Sequence, residues 1–383
     1  MNPQYQDHWE VLLRFLPAGW EEKALELGAL SRRRKIDSAR TLLRVLLIHL
    51  ANGMSLRTTA AYAHEAKLCS INDAALLHRL KVSEDWLHWM CAQMFGAMNG
   101  GASAGAVSSR LQLRAVEGAL ISEPGATGSD WRLHYCLRLR GLRCDAFRIT
   151  GPKTAESFQH FEISPDDLLL GDRRFCGGGG IAHVLRGGGH VVAELSDSRL
   201  PLFSRDGKPF RTLAELRGLK ALGCGDWDVY FQPPGGKEFQ KGRLCAIRKT
   251  EQAAELSRKR LRAGAAGHRH PILPEALERA DFVCVYTTAS RRLLRTREVL
   301  ELYCERWRAE RSLKRLGRTI AVGHLPKQNE ESFVAWLYGK MLVAMLMERM
   351  RREAEAFSPW GCPIRGPCGP AGDFETLRKV ELL

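Results

Sequence analysis

The chain has 383 residues, enough for roughly two or three domains, and a formal charge of +15 that points to a polyanionic partner, nucleic acid ahead of a membrane or an acidic protein. Its eleven cysteines are scattered, with no CxxC pair, no histidines to complete a zinc knuckle at Cys362 and Cys368, and no secretory leader. That pattern excludes a disulfide framework and predicts reduced thiols in a cytosolic protein.

In chain order, the first hundred residues read as helical. Ala39 to Ala51 carries Leu42, Leu43, Val45, Leu46, Leu47, Ile48 and Leu50, a helix buried on much of its circumference. After the Asn52-Gly53 break, Ser55 caps a second helix through Ala63, and Ser70 with Asp73 reads as a capping box for a third. Such short helices suit a DNA-binding module, and equally a plain helical cap.

The small, Gly/Ala-rich stretch from Asn99 to Ala106 marks a linker, and beyond it the period changes. Strands are predicted at Leu111 to Val116, Leu133 to Leu139, Cys144 to Ile149, Leu168 to Gly171 and Val191 to Leu195. From Ser196 to Phe282 the text is polar, Gly-broken and basic, with strands at Val229 to Phe231 and Leu244 to Ile247. Phe282 to Tyr286 is one more apolar strand, and the chain turns helical from about Thr296. Phe333 to Met350 contains Lys340 and Glu348, which argues against a bilayer span and predicts a buried helix. The resulting organisation is α/β: a helical, DNA-binding 1–100, a first half-domain over 107–195, a basic β-rich insertion over 196–282, a closing half over 283–350 and a Pro/Gly-rich tail over 351–383.

Three carboxylates invite chemistry. Asp172 directly follows the apolar strand Leu168-Leu169-Leu170-Gly171, where α/β sheets present functional groups; the alternative is an aspartate answered by an arginine of the turn, Arg173 or Arg174. Glu117 ends a similar run beside Gly118. On a helix, Tyr303, Arg306, Glu310 and Lys314 follow steps of three, four and four and project from nearly one line, so Glu310 lies among cations. A helix surface laced with Glu-to-Lys pairs is the alternative there. If Glu117, Asp172 and Glu310 converge across the insertion, they supply oxygen ligands for one or two Mg²⁺ ions, with Mn²⁺ as a substitute, and such a site catalyses in-line displacement at phosphorus.

Tyr303-x-x-Arg306-x-x-x-Glu310, continued by Leu313-Lys314-Arg315-Leu316, Gly323-His324-Leu325-Pro326 and Ala335-Trp336-Leu337-Tyr338-Gly339-Lys340, resembles the C-terminal signature of bacterial insertion-sequence transposases of the DDE class. The resemblance implies a ribonuclease-H-like catalytic domain with a β-rich insertion, and divalent-metal chemistry that cuts and rejoins element ends. It implies Asp172 as second acid, Glu310 as third, and Glu117, one methylene longer than the usual aspartate, as first. The family's lysine seven residues after the glutamate is Gly317 here, leaving Lys314, Arg315 or Arg318 to supply that charge. Gly151 to Glu156 replaces a tract with histidine and glycine, and Arg174 occupies a position where glycine is common.

Tyr303 and Arg306 are expected at transferred-strand phosphates. Trp307 is either a base-stacking platform or a packed anchor of its helix. Lys259, Arg260 and Arg262 form a second basic cluster, tracking the DNA backbone or lying in a solvated loop. Gly177 to Gly180 lacks the Gly-Lys-Ser/Thr ending of a phosphate loop. The reading is a transposase acting in the bacterial cytoplasm on inverted terminal repeats and target DNA, as a homodimer in the DNA complex and with no membrane partner. Its alternatives are a catalytically impaired relic that still binds DNA, and a metal-dependent nuclease without joining activity.

Overall fold

A computed structural model describes residues 9–31, 35–98, 111–122, 130–265, 272–304, 306 and 330–356. Eight strands form one sheet in the order β3-β2-β1-β4-β5-β8-β7-β6. β1 (Gln112–Ser122), β2 (Asp130–Arg138) and β3 (Arg143–Thr150) make an antiparallel meander. β4 (Asp167–Gly171) runs parallel to β1, and β5 (His190–Glu194) parallel to β4. Leu168, Leu169 and Leu170 are wholly buried, as expected of a parallel strand covered on both faces. A buried ion pair anchors the start of this strand: Arg114 Nη1 lies 2.6 Å from Asp167 Oδ2.

The basic segment 196–282 does not stand apart from the sheet. Its β6 (Cys224–Phe231) and β7 (Gln240–Arg248) continue it through β8 (Phe282–Thr287), all three antiparallel to their neighbours.

The N-terminal helices are α1 (Trp9–Leu13), α2 (Trp20–Glu26), α3 (Ala39–Asn52), α4 (Leu56–Glu65), α5 (Asp73–Val82) and α6 (Glu84–Met98). Ser55 caps α4 as expected, accepting from the Thr58 amide at 3.1 Å. For α5 the cap is Asn72, not Ser70: Asn72 is extended and its Oδ1 accepts from Ala75 N at 2.9 Å. Between strands lie α7 (Gly178–Arg186), α8 (Thr212–Arg217), α9 (Glu251–Ala265) and α10 (Pro274–Arg279). α11 covers residues 296–304, with 306 also helical, and α12 is Glu330–Ala356.

The predicted apolar helix is the middle of α12, buried at Phe333, Trp336, Leu337, Met341 and Leu342. It shares one core with α2 to α6 and with Ile121, Leu133 and Leu137 of the meander. Along the same sheet face, α11 covers Leu113, Leu170, Val192 and Val285, while α7 packs on the opposite face against Leu169, Val191 and Ala193. Among the described residues the cysteines are free thiols, mostly buried, and no helix is long and apolar enough to cross a membrane.

Candidate active site

Strand register brings three acids into one row. The last paired residues are Ala115 with Leu170 across β1 and β4, and Gly171 with Ala193 across β4 and β5. Continuing those registers sets Glu117 beside Asp172 and Asp172 beside Glu194. Alternation puts Glu117 and Glu194 on the face of Leu113, Leu170 and Val192, the face that α11 covers, and Asp172 follows the end of β4 between them. Glu117 lies at the seam where this cluster gives way to the one formed by α12 and the N-terminal helices.

Each acid is met by a specific partner. Arg306, 1% exposed, reaches from α11 and donates through Nη1 to Glu117 Oε1 at 3.2 Å. Its guanidinium also lies 5.5 Å from the Tyr303 ring. Tyr303 donates its hydroxyl hydrogen to Glu194 Oε2 at 3.0 Å, tying the same helix to the end of β5. The two α11 residues expected at phosphate therefore both face the acidic row.

Asp172 is answered by an arginine of its own turn, the alternative that its local sequence left open. The Arg174 amide donates to Oδ1 at 2.7 Å and Arg174 Nε to Oδ2 at 2.7 Å. The same guanidinium donates through Nη1 to Glu156 Oε1 at 3.1 Å, and Arg132 Nη1 holds that oxygen at 2.5 Å. Burial works against the charged form of Arg174, but Asp172 first, then Glu156 and Glu117, outweigh it and raise its pKa. Glu156 reaches this position because residue 118 has no side chain: a Cβ there would lie 2.7 Å from Glu156 Cγ.

Glu310, Trp307, Lys314, Arg315, Gly317 and Arg318 lie outside the described residues. Lys259, Arg260 and Arg262 belong to α9, not to a loop; Lys259 and Arg262 are exposed, and Arg262 lies 3.9 Å from Glu255. Among the described residues these three make no hydrogen bond or ion pair to the acidic row. Glu194 was missed by sequence reading, although it ends an apolar strand as Asp172 does. Glu156 was noted only as part of a divergent tract, and nothing local announces its approach to Gly118.

The donor chemistry of Glu117 and Asp172 suits a hard divalent cation, which prefers carboxylate oxygen. Among the described residues no three His, Cys, Asp or Glu side chains gather closely enough to hold an ion. Both Asp172 oxygens are engaged by Arg174, so a cation binding there has to compete with a guanidinium.

A mixed sheet that carries acids at the ends of its parallel strands, with an arginine-bearing helix across them, is an α/β arrangement in which carboxylates and cations converge. Residues 150–346 match the family described as "Transposase DDE domain". The chain is 28% identical over 363 residues to the putative transposase InsL for insertion sequence element IS186A of Escherichia coli strain K12, covering 92% of this chain and 96% of that one. It is also 28% identical over 364 residues to the transposase for insertion sequence element IS421 of Escherichia coli, with the same coverage. The chain belongs to the DDE transposase family.

Proposed function

We propose that this protein is a DNA transposase that cuts and joins insertion-sequence ends by metal-dependent hydrolysis and transesterification, with Glu117, Asp172 and Glu310 as its acids. The observation that carries this reading is the parallel pairing of β1 with β4, which leads to Glu117 on one strand and to Asp172 just after the other, with Arg306 of the signature helix on Glu117. The order β3-β2-β1-β4-β5, with β1, β4 and β5 parallel, supports a ribonuclease-H-like core to which segment 196–282 is an insertion.

In the first step a water oxygen bonds to phosphorus and the 3′-oxygen of the element end leaves with a proton. In the second, that 3′-hydroxyl attacks a target phosphodiester and releases a target 3′-hydroxyl. Glu117, Asp172 and Glu310 would hold Mg²⁺ or Mn²⁺, which when bound would supply activation of the nucleophile and stabilisation of developing charge. Tyr303 and Arg306 orient Glu194 and Glu117, while Lys314, Arg315 and Arg318 are assigned to phosphate contacts and Trp307 to base stacking. Lys259, Arg260 and Arg262 track the duplex backbone, giving salt-dependent affinity without sequence readout. The partners are double-stranded DNA with inverted terminal repeats and target DNA, in the bacterial cytoplasm. Two ends must be joined, which calls for a homodimer in the DNA complex.

The test is a supercoiled donor carrying the matching repeats, incubated with the protein in Mg²⁺ or Mn²⁺. Excision that disappears with Glu310→Ala or Asp172→Asn supports the reading. A native chain that binds the repeats without cleaving, but cleaves after Glu117→Asp, assigns the defect to the longer first acid. Absence of cleavage by every form despite binding would reject the catalytic assignment.

A further inference from the structure

Arg174 is bound to the acidic row in a way a turn arginine does not require. Its amide and its Nε take the two oxygens of Asp172, and its Nη1 bridges on to Glu156. Glu156 is itself fixed, its side chain 6% exposed and gripped by Arg132. The charge of Glu117 also bears on the guanidinium. The Arg174 guanidinium thus lies between two carboxylates and in the field of a third, beside Arg132 on Glu156 and Arg306 on Glu117.

We propose that Arg174 is the internal counter-ion of this site, that a divalent metal takes Asp172 only by displacing its guanidinium, and that Arg174 thereby sets the metal concentration the reaction needs. The inference rests on reading Asp172 as a metal-holding acid. Carboxylates this close repel one another unless a cation lies between them, and a guanidinium fork meets that need with directed hydrogen bonds. Displacement is physically open. The Arg174 side chain is 42% exposed against 13% for Asp172, so the guanidinium borders solvent more openly than the acid it holds. The backbone need not follow, because Arg174 O accepts from Arg199 Nη1 at 2.8 Å. Once released, the fork sits beside the reacting centre with its donors free for phosphate oxygens.

The experiment measures Mn²⁺ binding to the full-length protein from the free-ion electron paramagnetic resonance signal, for the native chain, Arg174→Gln, Arg174→Lys and Asp172→Asn, each checked by thermal melting. If the guanidinium fills the site in about nine molecules of ten, its removal tightens apparent Mn²⁺ binding about tenfold. Arg174→Lys keeps the charge but loses the fork, and falls between native and Gln; it carries the test alone if the Gln variant does not fold. Unchanged or weaker Mn²⁺ binding in the Arg174 variants, with binding lost in Asp172→Asn, overturns the counter-ion proposal and leaves the metal reading standing. Mn²⁺ binding that survives Asp172→Asn overturns the metal reading itself.

Discussion

Arg306 and Glu117 are 189 residues apart in sequence and 3.2 Å apart in space, with side chains 1% and 10% exposed. A buried pair of this kind is a better reporter of correct assembly than a source of net stability, because the desolvation of both ions offsets much of their attraction. Removing one partner is another matter. Arg306→Met leaves a buried carboxylate short of its cation and is expected to cost about 3–5 kcal/mol in denaturant unfolding. Glu117→Gln added to Arg306→Met should recover a large part of that loss. A double-mutant cycle with no coupling would rule the pair out as the link between α11 and β1.

Gly118 gives a second handle on the same site. Gly118→Ala places a methyl 2.7 Å from Glu156 Cγ, so Glu156 must leave its place beside Arg132 and Arg174. The expected cost is about 1–3 kcal/mol, with donor cleavage falling while affinity for the repeats is kept. Retention of native cleavage rates would show that Glu156 has no part in arranging the site.

Far from the row, Asp226 gathers the approach to α11. It takes Arg243 Nη2 at 2.6 Å, Thr296 Oγ1 at 2.6 Å and Arg291 Nη2 at 2.7 Å, while Arg243 also donates to the carbonyls of Ala289 and Leu294. Asp226→Ala is expected to destabilise by about 2–4 kcal/mol, since Arg243 is then buried without its counter-charge. Hydrogen exchange should quicken first in residues 289–300. Uniform quickening across the sheet would mean that the network stabilises the fold without positioning the helix.

The pH dependence of stability has a specific source in β2. His134 is wholly buried, with its ring centroid 4.0 Å from that of His160, and burial first, then His160, Arg132 and Arg148, push its pKa from 6.5 down to about 4. The unfolded chain therefore binds the extra proton between those values. Stability from this group is complete above pH 6.5, falls as pH drops toward 4, and levels off below. Melting temperatures between pH 4 and 7 should fall less steeply for His134→Gln than for the native chain. Parallel curves would assign the acid sensitivity to other groups.

Sequence periodicity located every strand core of the sheet, because runs such as Leu168-Leu169-Leu170 have one physical outcome in a domain of this size. It also found α3 and the Ser55 cap. It did not find α7, whose first turn is Gly178-Gly179-Gly180, since glycine opposes helix and only tertiary contact reverses the preference. A Cβ on Gly180 would lie 3.2 Å from Phe158 N, so close packing selects the residue that propensity rejects. The same boundary divides the site. Glu117, Asp172 and Arg306 were legible as individual residues with a chemical purpose, whereas the row through Glu194 and the bridge from Arg174 to Glu156 depend on strand register and a missing side chain.

The sharing of one core by α12 and the N-terminal helices has a consequence for how the protein is made. Tyr338 of α12 accepts the Cys144 amide at 2.8 Å, its carbonyl takes the Cys91 thiol, and Phe333 stacks on Phe147 at 3.9 Å. During synthesis at about 5–20 residues per second, the apolar faces of α3, α5 and α6 wait roughly tens of seconds for that helix to leave the ribosome. A polypeptide interrupted before residue 330 would lack the segment that closes its first hundred residues. Truncated copies would then be poor sources of a stable N-terminal fragment, and interference with the full-length protein would have to come from chains that reach α12.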